Sequence, residues 1–423
     1  MIWPLNLERV APAPTPDEAV RPNANTASLQ AWDAADELLL QQATHWVENE
    51  WLEDKQPAGK QHPRVLVVDD NFGALTLGLW DLQPVTLADS AALGPVLAHN
   101  LALNPPLQSN LRDRPVPLSW CDDPVLAPET ATTMATNSPH SAYRLNGLFD
   151  LVVMRIPRYG DYLAWLLRRV NALLADDGVL LAGGMIKHLP DRSVDVFAQA
   201  VVTEKVCPAR KKARVVICRK GSAELTNWTP AWLGYSLAAG AEAAKARSVV
   251  ALPAVFARDK LDIGTRVLLP HVTQAAAALA PGARVLDLAC GNGVLGLAAL
   301  AANSHLELTF SDVSSQAVIS AAANAAREFP RSTFSFRYAD GISADGGEFD
   351  LILLNPPFHE GGVVGDHIAL ALFAAARRHL RPGGRLLLVG NRHLGYHRSL
   401  GRFFPQVRQP DATPKFVVLE ASR

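Results

Sequence analysis

Three carboxylates stand at the ends of three successive strand-like runs in the second half of this 423-residue sequence. Asp287 lies in VLDLACGNGVLG, Asp312 in ELTFSDVS, and Asp340 closes FSFRYAD. Gly291 and Gly293 follow the first run, where glycine permits positive φ and lets a ligand approach the backbone closely. The string Gly291-Asn292-Gly293-Val294-Leu295-Gly296 matches a dinucleotide fingerprint. Asp287 argues against a pyrophosphate, which needs helix N–H groups and is repelled by a carboxylate. It suits an ammonium or a sulfonium. Asp312 fits a carboxylate accepting both ribose hydroxyls, and Asp340 can accept from an adenine amine. Any one strand-end Asp also serves as a helix cap. Three of them with a glycine loop describe a nucleoside that carries positive charge and no phosphate, S-adenosylmethionine. Ala289, Cys290, Gly291 and Gly293 would form its loop, with Asn355 bordering it.

A second constellation is FDLILLNPPFHEGG, residues 349–362. Pro356 and Pro357 end the apolar run, since each lacks a backbone donor. The run therefore delivers an amide, a free carbonyl and an aromatic ring to a strand end. The Asn355 oxygen and the Pro356 carbonyl can each accept one hydrogen of an exocyclic –NH2, aiming the nitrogen lone pair at a methyl donor. Phe358 offers a face for base stacking, and His359 is a candidate substrate contact, although a loop histidine is more often incidental. This chemistry needs alignment and electrostatics, with no nucleophile and no metal.

These residues require a frame of parallel strands whose carboxyl ends form the site. Strand-like runs alternate with helical segments through the chain: RVLVVDD, VTLAD, FDLVVMRIP, GVLLAGG and RVVICRK, then a second series from Arg284 to KFVVLEA. The pattern predicts two tandem doubly wound α/β domains, each a parallel sheet covered on both faces. RVLVVDDNFGALTLGL (64–79) aligns without a gap on RVLDLACGNGVLGLAA (284–299), and FDLVVMRIPR on FDLILLNPPF. The expected boundaries are a flexible N-terminus to residue 27, a first domain over 28–220, a connection over 221–255 and a second domain over 256–423. Residues 108–145 read as a long Pro/Ser/Thr-rich loop.

Composition bounds the rest. With 49% hydrophobic and 19% charged residues the chain is globular. The net charge of −1 leaves any basic footprint local. Cys121, Cys207, Cys218 and Cys290 lack metal-ligand or disulfide-framework spacing, which fits a reducing cytoplasm. No run suggests a signal peptide or a membrane span.

AWDAADELLLQQ, DDNFGALT, FARDKLDIGTRVLL, LDLACGNGVLGL, LNPPFH, NRHLGYH and KFVVLEA together resemble a known family. They look like the bacterial ribosomal RNA guanine-N2 methyltransferases, class I enzymes built from two methyltransferase-like domains. NRHLGYH and KFVVLEA resemble the large-subunit (23S) methyltransferase G branch more than the small-subunit (16S) branch. The resemblance implies methyl transfer from S-adenosylmethionine to guanine N2, with 23S ribosomal RNA or a subunit assembly intermediate as partner. It implies a cytoplasmic, monomeric enzyme. Ala289 and Lys260 depart from the family, which usually has glycine at both positions. Other readings of the same residues are guanine N2 of 16S RNA, adenine N6, a glutamine amide, an NAD-dependent oxidoreductase, and a pure RNA-binding scaffold.

The first copy lacks the chemistry. Val67 replaces Asp287, Asn71 replaces Gly291, and Arg155-Ile156-Pro157-Arg158 replaces Asn355-Pro356-Pro357-Phe358. KVCPARKKARVVICRK, residues 205–220, adds a basic cluster. The first domain is therefore expected to be degenerate and to grip RNA phosphate through Arg155, Arg158, Arg210, Lys211, Lys212 and Arg214.

Overall fold

The computed structural model describes residues 5–9, 31–51, 62–108, 116–123, 145, 147–189, 193–223, 232–237, 247–357 and 366–423. The described residues divide into two compact units, with the second beginning at Trp232.

The first unit contains α1 (Ala34–Trp46), β1 (Val65–Val68), α2 (Ala74–Gly78), β2 (Val85–Leu87), α3 (Leu93–Ala102), β3 (Phe149–Arg155), α4 (Gly160–Leu173), β4 (Leu174–Met185), β5 (Val202–Val206) and β6 (Ala213–Arg219). Its sheet runs β2-β1-β3-β4-β6-β5. Every residue of the VLVV strand β1 is buried, as a strand covered on both faces requires. On one face Leu39 and Trp46 of α1 pack with Val65, Val67, Leu151 and Val153.

The second unit contains β7 (Leu233–Leu237), β8 (Arg247–Ala251), α5 (Ile263–Ala277), β9 (Arg284–Leu288), α6 (Val294–Ala302), β10 (Glu307–Asp312), α7 (Ser315–Glu328), β11 (Thr333–Tyr338), β12 (Phe349–Leu354), α8 (Asp366–His379), β13 (Leu380–Asn391), β14 (Gln406–Ala412) and β15 (Phe416–Ser422). Its sheet runs β11-β10-β9-β12-β13-β15-β14. Both sheets are parallel except at one edge, where β6 and β15 run antiparallel to both of their neighbours. Short connections are the reason: β5–β6 and β14–β15 are hairpins, with no room for a crossover helix.

Strand register shows the duplication directly. Val65 pairs with Leu151 as Val285 pairs with Leu351. The Arg64 N–H donates to Asp150 at 2.8 Å, and the Arg284 N–H donates to Asp350 at 2.8 Å. Each unit also holds an extended segment by its backbone. Asn100 of α3 accepts from the Glu8 N–H and donates to the Glu8 carbonyl, and Asn104 does the same for Asn6. In the second unit Asn324 of α7 makes the same two bonds to Val250 of β8. Two expectations are thereby revised. Residues 5–9 are pinned instead of wandering, and the stretch read as a plain connection supplies β7 and β8 to the second unit. No helix among the described residues is long and apolar enough to cross a membrane.

Candidate active site

The carboxyl ends of β9, β10 and β12 meet at the centre of the second sheet. Asp287, near the end of β9, is completely buried. Its Oδ2 accepts from the Gly296 N–H at 2.8 Å, so it caps α6 from within. Its Oδ1 is buried with no partner among the described residues. Burial pushes this carboxyl well above the usual carboxylate range, the Gly296 bond opposes the shift, and Asp312 adds to it. Such an oxygen is an acceptor waiting for a donor or a cation.

The loop between β9 and α6 is built for close approach. Gly291 has φ 53°, and a Cβ built there would meet only open space. Ala289 also has positive φ, 55°, a conformation that costs a residue with a Cβ. The departure from glycine at Ala289 is therefore a strained one. Asp312 ties the loop down: its Oδ2 accepts from the Gly291 N–H at 2.8 Å and its Oδ1 from the Ser314 N–H at 2.9 Å. Cys290 is buried, and its thiol is raised well above the usual range, by burial first and by Asp312 and Asp287 next. It is a packing residue of the loop. Asp340 is exposed and makes no hydrogen bond among the described residues.

Asn355 follows β12, which lies between β9 and β13. Its Nδ2 donates to the Thr265 hydroxyl at 2.9 Å and to Asp262 Oδ2 at 3.4 Å, while its Oδ1 is buried without a partner. Pro356 is buried beside it. Phe358 and His359 lie outside the described residues. Sequence reasoning missed Asp262, Thr265 and also Tyr235, whose hydroxyl accepts from Asn292 of the glycine loop at 3.2 Å. For the first two a signal existed: Asp262 is the N-cap of α5 and Thr265 follows three residues later.

The same ground in the first unit is filled. Val67 is core, and the cap of α2 passes to Asp70, which accepts from the Gly73 N–H, the Thr76 N–H and the Thr76 hydroxyl. Trp120 is fully buried beyond the Leu87–Leu118 bridge and donates to the Tyr162 hydroxyl, which donates to Asp69 at 2.7 Å. No orphaned carboxylate oxygen remains among its described residues.

Two models cover most of the sequence: an RLMG N-terminal domain over residues 20–222 and a methyltransferase small domain over residues 246–420. The chain is 36% identical to the ribosomal RNA large subunit methyltransferase G of Pseudomonas putida strain GB-1, with 95% of this chain and 96% of that one covered. The protein of the same name from Pseudomonas aeruginosa strain UCBPP-PA14 gives the same identity and the same coverage. The chain belongs to the ribosomal RNA large subunit methyltransferase G family. Among solved structures, a T. thermophilus 16S rRNA N2 guanine methyltransferase in complex with AdoMet and guanosine superposes with a TM-score of 0.67 over 92% of each chain at 21% identity. That likeness shows a shared two-domain class I methyltransferase fold. Membership of the family sets aside the oxidoreductase and pure-scaffold readings of the glycine loop.

The basic residues expected to meet RNA divide into two groups. Arg155 does not face solvent: it donates to both oxygens of Asp33 and to Asp36 Oδ1, within the first unit. Its assignment to phosphate is corrected, because a guanidinium spent on two carboxylates has no charge left to offer. Arg210, Lys211 and Lys212 form the tip of the β5–β6 hairpin, with both lysines at positive φ. Lys211 pairs with Glu37 at 2.8 Å and Arg210 donates to Gln41, whereas Lys212 and Arg158 are exposed and make no ion pair among the described residues. Arg214 is half-buried, with a buried, unpartnered Nε. Farther along, Arg219 pairs with Glu204 and Glu50, and Lys220 with Asp176, so part of the cluster is neutralised by carboxylates outside it.

Proposed function

We propose that this protein transfers a methyl group from S-adenosylmethionine to the exocyclic N2 of a guanine in large-subunit (23S) ribosomal RNA. The observation that carries the reading is the Asn355 amide, whose donors are bound and whose oxygen is a buried, unpartnered acceptor at the sheet's carboxyl edge. The residues fit the cofactor: Asp287 Oδ1 is an orphaned acceptor for its positive end, and Gly291 leaves open space where its body would lie. Asp312 and Asp340 would hold the ribose hydroxyls and the adenine amine. When bound, the cofactor supplies an electrophilic methyl on a sulfonium.

The protein's part is alignment. Asn355 Oδ1 and the Pro356 carbonyl accept the two amine hydrogens, and this favours a pyramidal nitrogen with its lone pair directed at the methyl. As positive charge develops on that nitrogen, the two fixed oxygens stabilise it without reorganising. Phe358 and His359 would flank the base, which must be unpaired or flipped out to reach the strand end. The first unit, with its cofactor ground filled, would grip RNA through Arg158, Arg210 and Lys212. A ribosomal RNA substrate supports a cytoplasmic location for this activity.

Mapping guanine N2 methylation in ribosomal RNA from cells with and without the gene tests the reading, and loss of one large-subunit modification is the expected result. Asn355→Ala should still bind cofactor and RNA while the single-turnover rate falls on the order of 10²–10³, as for the loss of one oxyanion-hole donor. A wild-type rate in that variant would refute the role of the strand end.

A further inference from the structure

We propose that Asp262 and Thr265 are positioning residues that fix the Asn355 amide so that only its oxygen faces the acceptor nitrogen. The inference rests on the methyltransferase reading of Asn355 and deepens it.

An amide presents a donor and an acceptor of nearly equal size, and a free Asn can turn either toward a substrate. Here both amide hydrogens are engaged, one by the Thr265 hydroxyl at 2.9 Å and one by Asp262 Oδ2 at 3.4 Å. Asp262 decides the orientation. An ionised carboxylate only accepts, so the reversed amide would set oxygen against oxygen. Asp262 is itself held in place, because its Oδ2 also accepts from the Thr265 N–H at 2.8 Å as the N-cap of α5. Gly264 lies between them, where a Cβ would come within 3.1 Å of that same oxygen. Thr265 is 4% exposed, so water does not compete for the contact.

The first unit carries the same device with different chemistry. Asp33 is the N-cap of α1, Asp36 stands at its third position, and both bind Arg155 at the end of β3. The link from helix cap to strand end is common to both copies. In the first it is a closed ion pair that leaves no acceptor over. In the second it is a tie between an amide and a carboxylate that leaves one buried oxygen without a partner. An arrangement serving stability alone would have satisfied that oxygen. Held this way, the strand end offers an acceptor and never a donor, so it selects an exocyclic amine and rejects a carbonyl at the same place.

Thr265→Val is the test. It removes the hydroxyl, keeps the side-chain shape and keeps the backbone N–H that Asp262 caps. Single-turnover methyl transfer at saturating RNA should fall on the order of 10- to 100-fold, the scale of a small misplacement at the reacting centre. The cofactor dissociation constant should be unchanged, and Thr265→Ser, which restores a hydroxyl, should recover most of the rate. An active wild type with an equally fast Thr265→Val overturns the positioning role alone. So does a slow Thr265→Val that Thr265→Ser fails to rescue. A wild type that methylates no guanine in the same assay overturns the methyltransferase reading and the positioning role with it.

Discussion

Arg155 donates to both carboxylate oxygens of Asp33, at 2.8 and 2.9 Å, and so ties the end of β3 to the cap of α1. Its side chain is 12% exposed, and Asp36, which shares it, is 7% exposed. Arg155→Ala should therefore act on stability. Removing one partner of a largely buried ion pair costs about 3 kcal/mol. Denaturant unfolding should show that loss, while the salt dependence of RNA binding stays as in the wild type. A reduced salt slope with unaltered stability would return Arg155 to the RNA surface.

Lys212 and Arg158 should behave in the opposite way. Each is exposed and free of acidic partners among the described residues, so each lost phosphate contact should reduce the salt slope by about 0.7–0.9. Lys211→Ala should matter less, because Glu37 already neutralises it. Filter binding across a salt series separates the three. Equal slopes for all of them would leave the hairpin tip an ordinary solvated turn.

Asp287→Asn should weaken the binding of S-adenosylmethionine by about 10- to 100-fold, the scale of a charge-assisted contact. The variant retains one oxygen for the Gly296 N–H and turns the orphaned oxygen into a donor. A pH effect accompanies it. Burial raises this carboxyl in the cofactor-free protein, and a cationic ligand favours the ionised form. Wild-type affinity should therefore rise with pH as the carboxyl ionises, and the variant's should not. Isothermal titration at several pH values gives both results. An unaltered affinity in the variant, with a pH-independent affinity in the wild type, would move the cofactor elsewhere.

Asp69→Asn tests the filled ground of the first unit. Burial lifts this carboxyl to about 7, the Tyr162 hydroxyl opposes the shift, and Asp89 adds to it. A carboxyl raised in the folded state contributes most below its unfolded value of 3.8, and the contribution is lost as pH rises toward 7. Asparagine mimics the neutral acid and tolerates the φ of 55° at this position. The stability of the variant relative to the wild type should rise as pH goes from 3.8 to about 7 and level off above that. A difference that does not vary with pH would mean that Asp69 is ionised throughout.

Ala289→Gly should relieve the left-handed backbone of the cofactor loop. The steric gain of roughly 1–2 kcal/mol is partly offset by the entropy of a new glycine, leaving about 0.5–1 kcal/mol of added stability. Equilibrium unfolding measures it, and a destabilised variant would show that the Ala289 methyl packs favourably.

What the sequence made legible was whatever depends on where an apolar run stops. Asp287, Asp312 and Asn355 sit at strand ends because the runs before them end there, and the gapless match of the two halves carried the register with it. Partners brought in from distant segments were not legible. Arg155 aligned with Asn355 and read as a basic site, because nothing local announces that Asp33 and Asp36 will close on it. Asp262 and Thr265 carry a local capping signal, but nothing local announces that Asn355 will close on them. Edge strands were also missed: every residue of VTEKV in β5 is exposed, and β14 is nearly as exposed and includes Pro410, so neither shows an apolar pattern.

Asn100 of α3 with Asn104, and Asn324 of α7, hold their extended segments by main-chain atoms, and that has a practical bearing on where the polypeptide can be cut. Because they ignore side chains, the gripped segments share no residues that a comparison of the halves could detect: Asn6 to Glu8 in one, the stretch around Val250 in the other. A fragment of the second half trimmed to begin at residue 256 would discard Val250 and Leu252. Asn324 and Ser320 would then face solvent with the acceptors of a missing strand. Expression of that half as an independent piece should start ahead of β7.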